Sequence, residues 1–346
     1  MSPKTLRFLV VSDLHAHAND PKVGASYCST DATFSDSTDN PLTGVADLLS
    51  QAGASPDWIV CPGDLGDRAD AVAQKHAWEE LERIRVAVGA SALIGAVGNH
   101  DVDSHRKRVD HDPKGTLQRL SPEFPVRMSR YEEGDHVYVD RHWSRNYVTI
   151  QFPEFDCRLL LINSCGFHGF ASEEGKSADE HLHGRLSPMT LASIRNEIET
   201  RRARLNIVLV HHHPRPNPWI EDGGSVMLGG EKLIEALKST EQQWIVVHGH
   251  QHVPHLAYAD ASPFAPVVLS SASVAAKTYP VKGGYPRNQI HMVEVPVERL
   301  DPSGEEVLGT VTSWSWAAQL GWLPAQSGLP PRGGPSRMLV EGWSGC

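Results

Sequence analysis

Aspartate, asparagine and histidine recur in this chain where apolar runs stop. Arg7–Val11 leads into Ser12-Asp13-Leu14-His15, Trp58–Cys61 into Gly63-Asp64, and Ala92–Val97 into Gly98-Asn99-His100-Asp101. Ile207–Val210 leads into His211-His212-His213, and Trp244–Val247 into His248-Gly249-His250-Gln251-His252. Asp13, His15, Asp64, Asn99, one histidine of the central trio, His250 and His252 together offer hard oxygens and borderline nitrogens. That mixture suits Mn, Fe or Zn, and neither an all-oxygen calcium cage nor a thiolate site. So many donors exceed the needs of one ion. They suit two ions roughly 3.5–4 Å apart that share a bridging carboxylate and work on a phosphoryl group.

Such donors meet only if the runs that carry them lie side by side. A short apolar run bounded by Gly, Pro or polar residues reads as a buried strand, and ligands at the ends of neighbouring strands converge along one sheet edge. Helical spacing of apolar residues over Gly44–Gln51, Ala69–Val88, Ser187–Arg204 and Glu231–Ser239 alternates with the strands, which predicts an α/β fold. Ser187 followed by Pro188 marks a helix start, with Ser187 as N-cap.

The 346 residues allow one large domain with a short appendage, and the net charge of -10 leaves no global footprint for nucleic acid or an anionic membrane. Cys28, Cys61, Cys157, Cys165 and Cys346 are scattered and form no CxxC, so free buried thiols in a reducing compartment are expected. Cys165 reads as a structural thiol. No run approaches the roughly 20 apolar residues of a membrane span, and Leu6–Val11 is too short for a signal-peptide core. A cytoplasmic protein without membrane attachment is expected.

Three stretches stand apart. Residues 19–43 are rich in Ser, Thr, Asp and Asn and read as a loop beside the first ligand pair, either a surface insertion or a lid. Residues 102–147 are slightly basic in an acidic chain and read as a cap insertion. Beyond Pro296 the chain turns rich in Gly, Pro and Trp, with one strand expected over Glu306–Trp316.

The motifs Asp13-Leu14-His15, Gly63-Asp64-Leu65-Gly66-Asp67-Arg68, Gly98-Asn99-His100-Asp101, a His-His-Pro after a strand, and Gly249-His250-Gln251-His252 occur in an order that resembles the calcineurin-like metallophosphoesterases. The resemblance runs from about Leu6 to Pro296. It implies a four-layer αββα sandwich of two mixed sheets, with a catalytic domain over 1–296 (102–147 its cap) and an extension over 297–346. It also implies two divalent transition-metal ions, Mn²⁺ favoured and Fe or Zn as alternatives. Asp13, His15, Asp64 and His252 would hold one ion with Asp64 bridging, and Asn99, His250 and one histidine of the trio the other. Aligning on Pro214 puts that ligand on His212, whereas counting from the strand end at Val210 puts it on His211; the proline-anchored spacing favours His212.

His100 would act on the leaving group, Asp67 would orient it, and Arg68 would lie near the phosphate or pair with a neighbouring carboxylate. The implied reaction is in-line attack of a metal-bridging hydroxide on a phosphodiester. The nearest branch by resemblance holds class III cyclic-nucleotide phosphodiesterases and glycerophosphodiesterases, although that branch often has Asp where Asn163 stands. A nuclease is the rival reading, resting on Arg106-Lys107-Arg108, Arg127, Arg130, Arg141 and Arg145 with Tyr131, Tyr138, Trp143 and Tyr147. Interleaved acids weaken it. A phosphomonoesterase and a catalytically inactive binding scaffold are further alternatives, the last disfavoured because no ligand position is missing.

Overall fold

Strand register decides how the layers form. The computed structural model describes residues 4–19, 24–104, 112–129, 136–169, 183–220, 225–277, 288–300, 309–324 and 336–338. β1 (Thr5–Val10), β2 (Trp58–Cys61) and β3 (Ala92–Gly95) run parallel, with Val10 level with Val60 and Val60 level with Ile94. β4 (Val126–Met128) closes one edge antiparallel to β3. On the other side β11 (Asn288–Pro296) pairs antiparallel with β1, and β12 (Gly309–Ala317) and β13 (Gly321–Pro324) continue the sheet, with β14 (Ser336–Met338) beside β12.

The second sheet has the order β5 (Tyr147–Phe152), β6 (Cys157–Ile162), β7 (Leu205–Leu209), β8 (Trp244–His248), β10 (Val267–Ser270) and β9 (His255–Tyr258). Its central strands β6, β7, β8 and β10 are parallel, and both edge strands are antiparallel. Both sheets are therefore mixed.

Because side chains alternate along a strand, each sheet presents one face to its partner and one to helices. Phe8, Val10, Val60 and Ile94 meet Leu159, Leu161, Ile207, Leu209 and Val247 between the sheets. Leu9, Ile59 and Leu93 face away and pack on α1 (Val45–Gln51) and α2 (Ala71–Val88). On the far side Leu160, Val208 and Val246 pack on α5 (Pro188–Thr200) and α6 (Gly230–Lys238). The result is the expected four-layer αββα sandwich. Among the described residues α3 (Gly115–Gln118) and α4 (His136–Arg145) lie in the 102–147 stretch.

The helix signals act as the sequence indicates. Ser187 Oγ accepts from the Thr190 N–H with Pro188 in the first turn of α5. Asp70 caps α2 through the N–H groups of Val72 and Ala73, and α2 buries Ala73, Ala77, Trp78, Leu81 and Ile84 along one stripe.

The 102–147 stretch uses its aromatic residues for packing. Tyr138 lies against the inter-sheet core, Trp143 against Phe124 at 6.1 Å, and Tyr147 is buried under α5. Arg127 pairs with Glu82 at 3.5 Å. Arg106, Lys107, Arg108, Arg130 and Tyr131 lie outside the described residues.

The loop and the Trp-rich segment turn out to depend on each other. Trp316 on β12 donates its indole N–H to the Ser37 carbonyl at 2.7 Å, and Trp322 on β13 donates to the Pro41 carbonyl at 2.8 Å. Tyr27 stacks on Trp316 with centroids 4.9 Å apart, and its N–H donates to Ala275 O. A β12–β13 hairpin thus pins residues 27–41. Replacing both Trp316 and Trp322 with Phe keeps an aromatic ring but removes the two donors and part of the packing, so stability should fall by at least about 1 kcal/mol per lost bond. Amide exchange within residues 24–43 should rise above that of β1; unchanged exchange would mean that the loop is held by other contacts.

Candidate metal centre

Parallel strands deliver their following turns to the same edge, and here the turns are tightly bent. Asp13 (φ 53), His15 (φ 46), Asp64 (φ 55), His250 (φ 79) and His252 (φ 57) all adopt left-handed backbone, which costs non-glycine residues on the order of 1 kcal/mol or more each. Backbone bonds between turns hold them there. The Asp13 N–H donates to Gly63 O, the His15 N–H to Asp64 O and the Gly249 N–H to His211 O. Two glycines let the turns close up: a Cβ on Gly98 would sit 2.1 Å from Asp64 Oδ1, and one on Gly63 (φ 123) 2.8 Å from His211 Nδ1.

The side chains converge on Asp64. Its Oδ1 accepts the His100 N–H at 2.8 Å, while its Oδ2 lies 3.5 Å from His15 Nε2 and 3.4 Å from His211 Nε2. On one side His15 Nε2 faces His252 Nε2 at 3.0 Å, and the latter is 3.5 Å from Asp13 Oδ1. On the other, Asn99 Oδ1 lies 2.9 Å from both His211 Nε2 and His250 Nδ1. His100 stands at the rim with Nδ1 against Asp67 Oδ1 at 3.0 Å and its ring 4.6 Å from that of His15. Arg68 is exposed, with Nε 3.6 Å from Asp67 Oδ2.

These contacts fit a cation. Asp13 and Asp64 are buried, and among the described residues their ion-pair partners are imidazoles, with neither Lys nor Arg. Buried carboxylates need compensating positive charge. His211 makes the case sharply, because its Nδ1–H donates to the Pro62 carbonyl at 3.0 Å, which leaves the Nε2 lone pair facing two oxygens. Burial lowers its pKa to about 4, so that nitrogen carries no proton at neutral pH. A lone pair aimed at an amide oxygen and a carboxylate oxygen is repulsive until a metal ion lies between them.

The remaining charges follow from burial and neighbours. Burial pushes the Asp64 carboxyl well above its ordinary range. It pushes Asp13 up as well, but the His252 hydrogen bond and the charges of His252, His211 and His15 outweigh that and leave it low. His15 and His250 are held well below the usual imidazole range, chiefly by burial. His100 goes the other way: burial lowers it, but Asp64 and Asp67 raise it to about 9.

Asp13, His15, Asp64, Asn99, His250 and His252 therefore come together with His100 and Asp67 beside them. The trio is where expectation and structure part. His211 faces Asp64 and Asn99, while His212 holds Ser164 Oγ at 2.8 Å through Nδ1 and keeps a ligand atom within 4.8 Å of those of His211 and His250. Strand parity is the reason, since Ile207 and Leu209 face the inter-sheet core and His211 continues their side, whereas Val208 and Val210 face the helices. The alternation is present in the sequence and disagrees by one residue with the proline spacing. Asp101 is a further contributor without an expected role: its carboxylate accepts from the Gly66 N–H at 3.1 Å and the Gly98 N–H at 3.0 Å, tying two ligand turns together.

The calcineurin-like phosphoesterase profile matches residues 6–254. The chain belongs to that family. A cAMP/cGMP dual specificity phosphodiesterase of Mycobacterium tuberculosis is 23% identical over 319 residues, covering 88% of this chain and 82% of the relative. Among solved structures, a purple acid phosphatase from yellow lupin seeds superposes with a TM-score of 0.52 at 11% identity, over 92% of this chain and 52% of the lupin enzyme. The structure of PhoD gives 0.50 at 11% identity, over 96% and 73%. The chain spans about half the length of the lupin enzyme, and both likenesses concern the fold. The chain is accordingly a metal-dependent phosphoester hydrolase, and no helix among the described residues is long and apolar enough to cross a membrane.

His100 should remain imidazolium at pH 7 in the metal-free protein and lose its proton as pH rises through about 9. Asp67→Asn removes one of the carboxylates responsible, so an NMR titration should show the midpoint falling towards the ordinary value. A midpoint unmoved by that substitution would contradict Asp67 control.

Proposed function

We propose that the protein hydrolyses a small phosphodiester, a cyclic nucleotide or a close analogue, at a centre that binds two divalent ions, with Mn²⁺ the favoured metal. The observation that carries the reading is the position of Asp64 Oδ2 between His15 Nε2 and His211 Nε2, at 3.5 and 3.4 Å. In this reading Asp13, His15, Asp64 and His252 hold one ion, and Asp64, Asn99, His211 and His250 the other, with His211 replacing His212. Bound divalent ions would polarise the phosphoryl oxygens and lower the pKa of attacking water.

The chain's own groups do the rest. The turns fix the carboxylates, amide and imidazoles in place, so little reorganisation is needed when substrate arrives. His100 carries the proton that a leaving alkoxide needs, and Asp67 keeps Nδ1 occupied so that Nε2 is the atom offered to substrate. Arg68, exposed beside Asp67, is the guanidinium available to a non-bridging phosphate oxygen. The mycobacterial relative, named for cAMP and cGMP, supports a cyclic diester. Nucleic acid is less well supported, because Tyr138, Trp143 and Tyr147 are engaged in packing and leave no stacking platform among the described residues of 102–147.

A screen of cyclic nucleotides, glycerophosphodiesters, single-stranded DNA and phosphomonoesters, with metals restored one at a time, should give its highest kcat/KM on a cyclic nucleotide. A preference for monoesters or DNA would refute the substrate assignment. His211→Ala should abolish turnover and lower metal content, and Asn99→Ala should likewise lose metal. His100→Ala should keep its metal and lose about 10²–10⁴ in kcat; loss of metal instead would place His100 among the ligands. Metal content should fall as pH drops towards 4, where His211 takes up its proton.

A further inference from the structure

Behind the centre, the turn after β6 and the turn after β7 bring together a second group of donors. The ligand atoms of Cys165, His168 and His212 all lie within 4.8 Å of one another, and all three residues are buried. Cys165 Sγ is 3.9 Å from His212 Nδ1, and Ser164 Oγ is 2.8 Å from the same nitrogen. Nδ1 is thus the His212 nitrogen that faces Cys165, while among the described residues Nε2 has no hydrogen-bond partner. Ser104 Oγ lies 3.4 Å from His168 Nδ1, so a hydroxyl steadies that ring from the other side. Gly184 (φ 59) leaves room for the His212 ring, since a Cβ there would come within 2.3 Å of Nδ1.

We propose that Cys165, His168 and His212 form a Zn²⁺ site that adjoins the centre built on Asp13 to His252, the two meeting at His212, whose ligand atom also groups with those of His211 and His250. Tetrahedral zinc with bonds of about 2.3 Å to sulfur and 2.0–2.1 Å to nitrogen keeps these donors roughly 3.3–3.6 Å apart, so the three need close by at most about 1.5 Å. Sulfur decides the choice of metal. Thiolate with two imidazoles selects zinc over the Mn²⁺ that suits the oxygen-rich centre. On binding, the Cys165 thiol releases its proton to solvent, the S–H bond being replaced by a Zn–S bond, and Val97 O loses the contact it now receives from Sγ at 3.2 Å. The ion would lock the β6 turn to the β7 turn and so brace His211, the neighbour of His212.

The site has a signature that the other centre lacks, because among the described residues that centre contains no thiolate. Full-length protein loaded with Co²⁺ should show a near-ultraviolet thiolate-to-cobalt charge-transfer band. The band should persist in Asp13→Asn, which weakens the oxygen-rich centre, and vanish in Cys165→Ser. His168→Ala should weaken cobalt binding by at least about tenfold, the loss that even an indirect partner of a metal produces. Zinc should raise the melting temperature of Asp13→Asn but not of Asp13→Asn combined with Cys165→Ala, which guards against a folding artefact in the serine variant. No band in the wild type, or a band that survives Cys165→Ser, would overturn the proposal, whatever the substrate of the phosphoester site proves to be.

Discussion

Two carboxylates buried at the ends of adjacent parallel strands govern this molecule. Asp13 and Asp64 are shut away from water, and imidazoles are their neighbours. Burying them uncompensated would cost several kcal/mol each. The surrounding turns make sense as an answer to that problem: they bring nitrogens and an amide oxygen to the same small space, and those of Asp13, Asp64 and His250 are bent into left-handed backbone to do so. Stability is given up at the turns for a cradle that attracts cations. Strain gathered at one edge while the strands behind it are regular is the pattern expected of a site that binds rather than one that merely packs.

Much of this was legible in the chain itself. The apolar runs before Asp13, Asp64, Asn99, His211 and His250 are strands, the helical stripes are helices, and Ser187 caps the helix that Pro188 begins. Local signals sufficed because both sheets are built from consecutive parallel units whose strand ends share an edge by geometry. His212 shows the limit of reading by spacing. Proline counts residues from the turn, whereas the strand assigns faces by parity, and when the two disagree the buried strand prevails: a slip of one residue would turn its whole apolar set to the wrong side.

What was not legible rests on contacts between segments far apart in sequence. Nothing in residues 24–43 announces that Ser37 and Pro41 lend their carbonyls to two indoles from another strand pair, nor does a tryptophan-rich stretch announce what it grips. Asp101 looks like part of a motif, yet its work is to accept two backbone N–H groups from different turns. The aromatics of 102–147 invited a nucleic-acid reading because side-chain type was visible and burial was not. Composition names the chemistry that a residue can do; only the fold shows whether another contact has already used it.

The bond between the His15 and His252 turns spans 237 residues, and Asn99 and His211 are 112 apart. No fragment of the sandwich holds the donor set, and neither sheet alone supplies it. During synthesis the early strands emerge with Asp13, His15, Asp64 and Asn99, and the donors His211, His250 and His252 join them only when the second sheet arrives. The centre is therefore an all-or-none property of the assembled chain. An ion held by the complete set favours the finished fold over intermediates that offer only part of it, which makes metal uptake a check on completion of the fold as much as a preparation for chemistry.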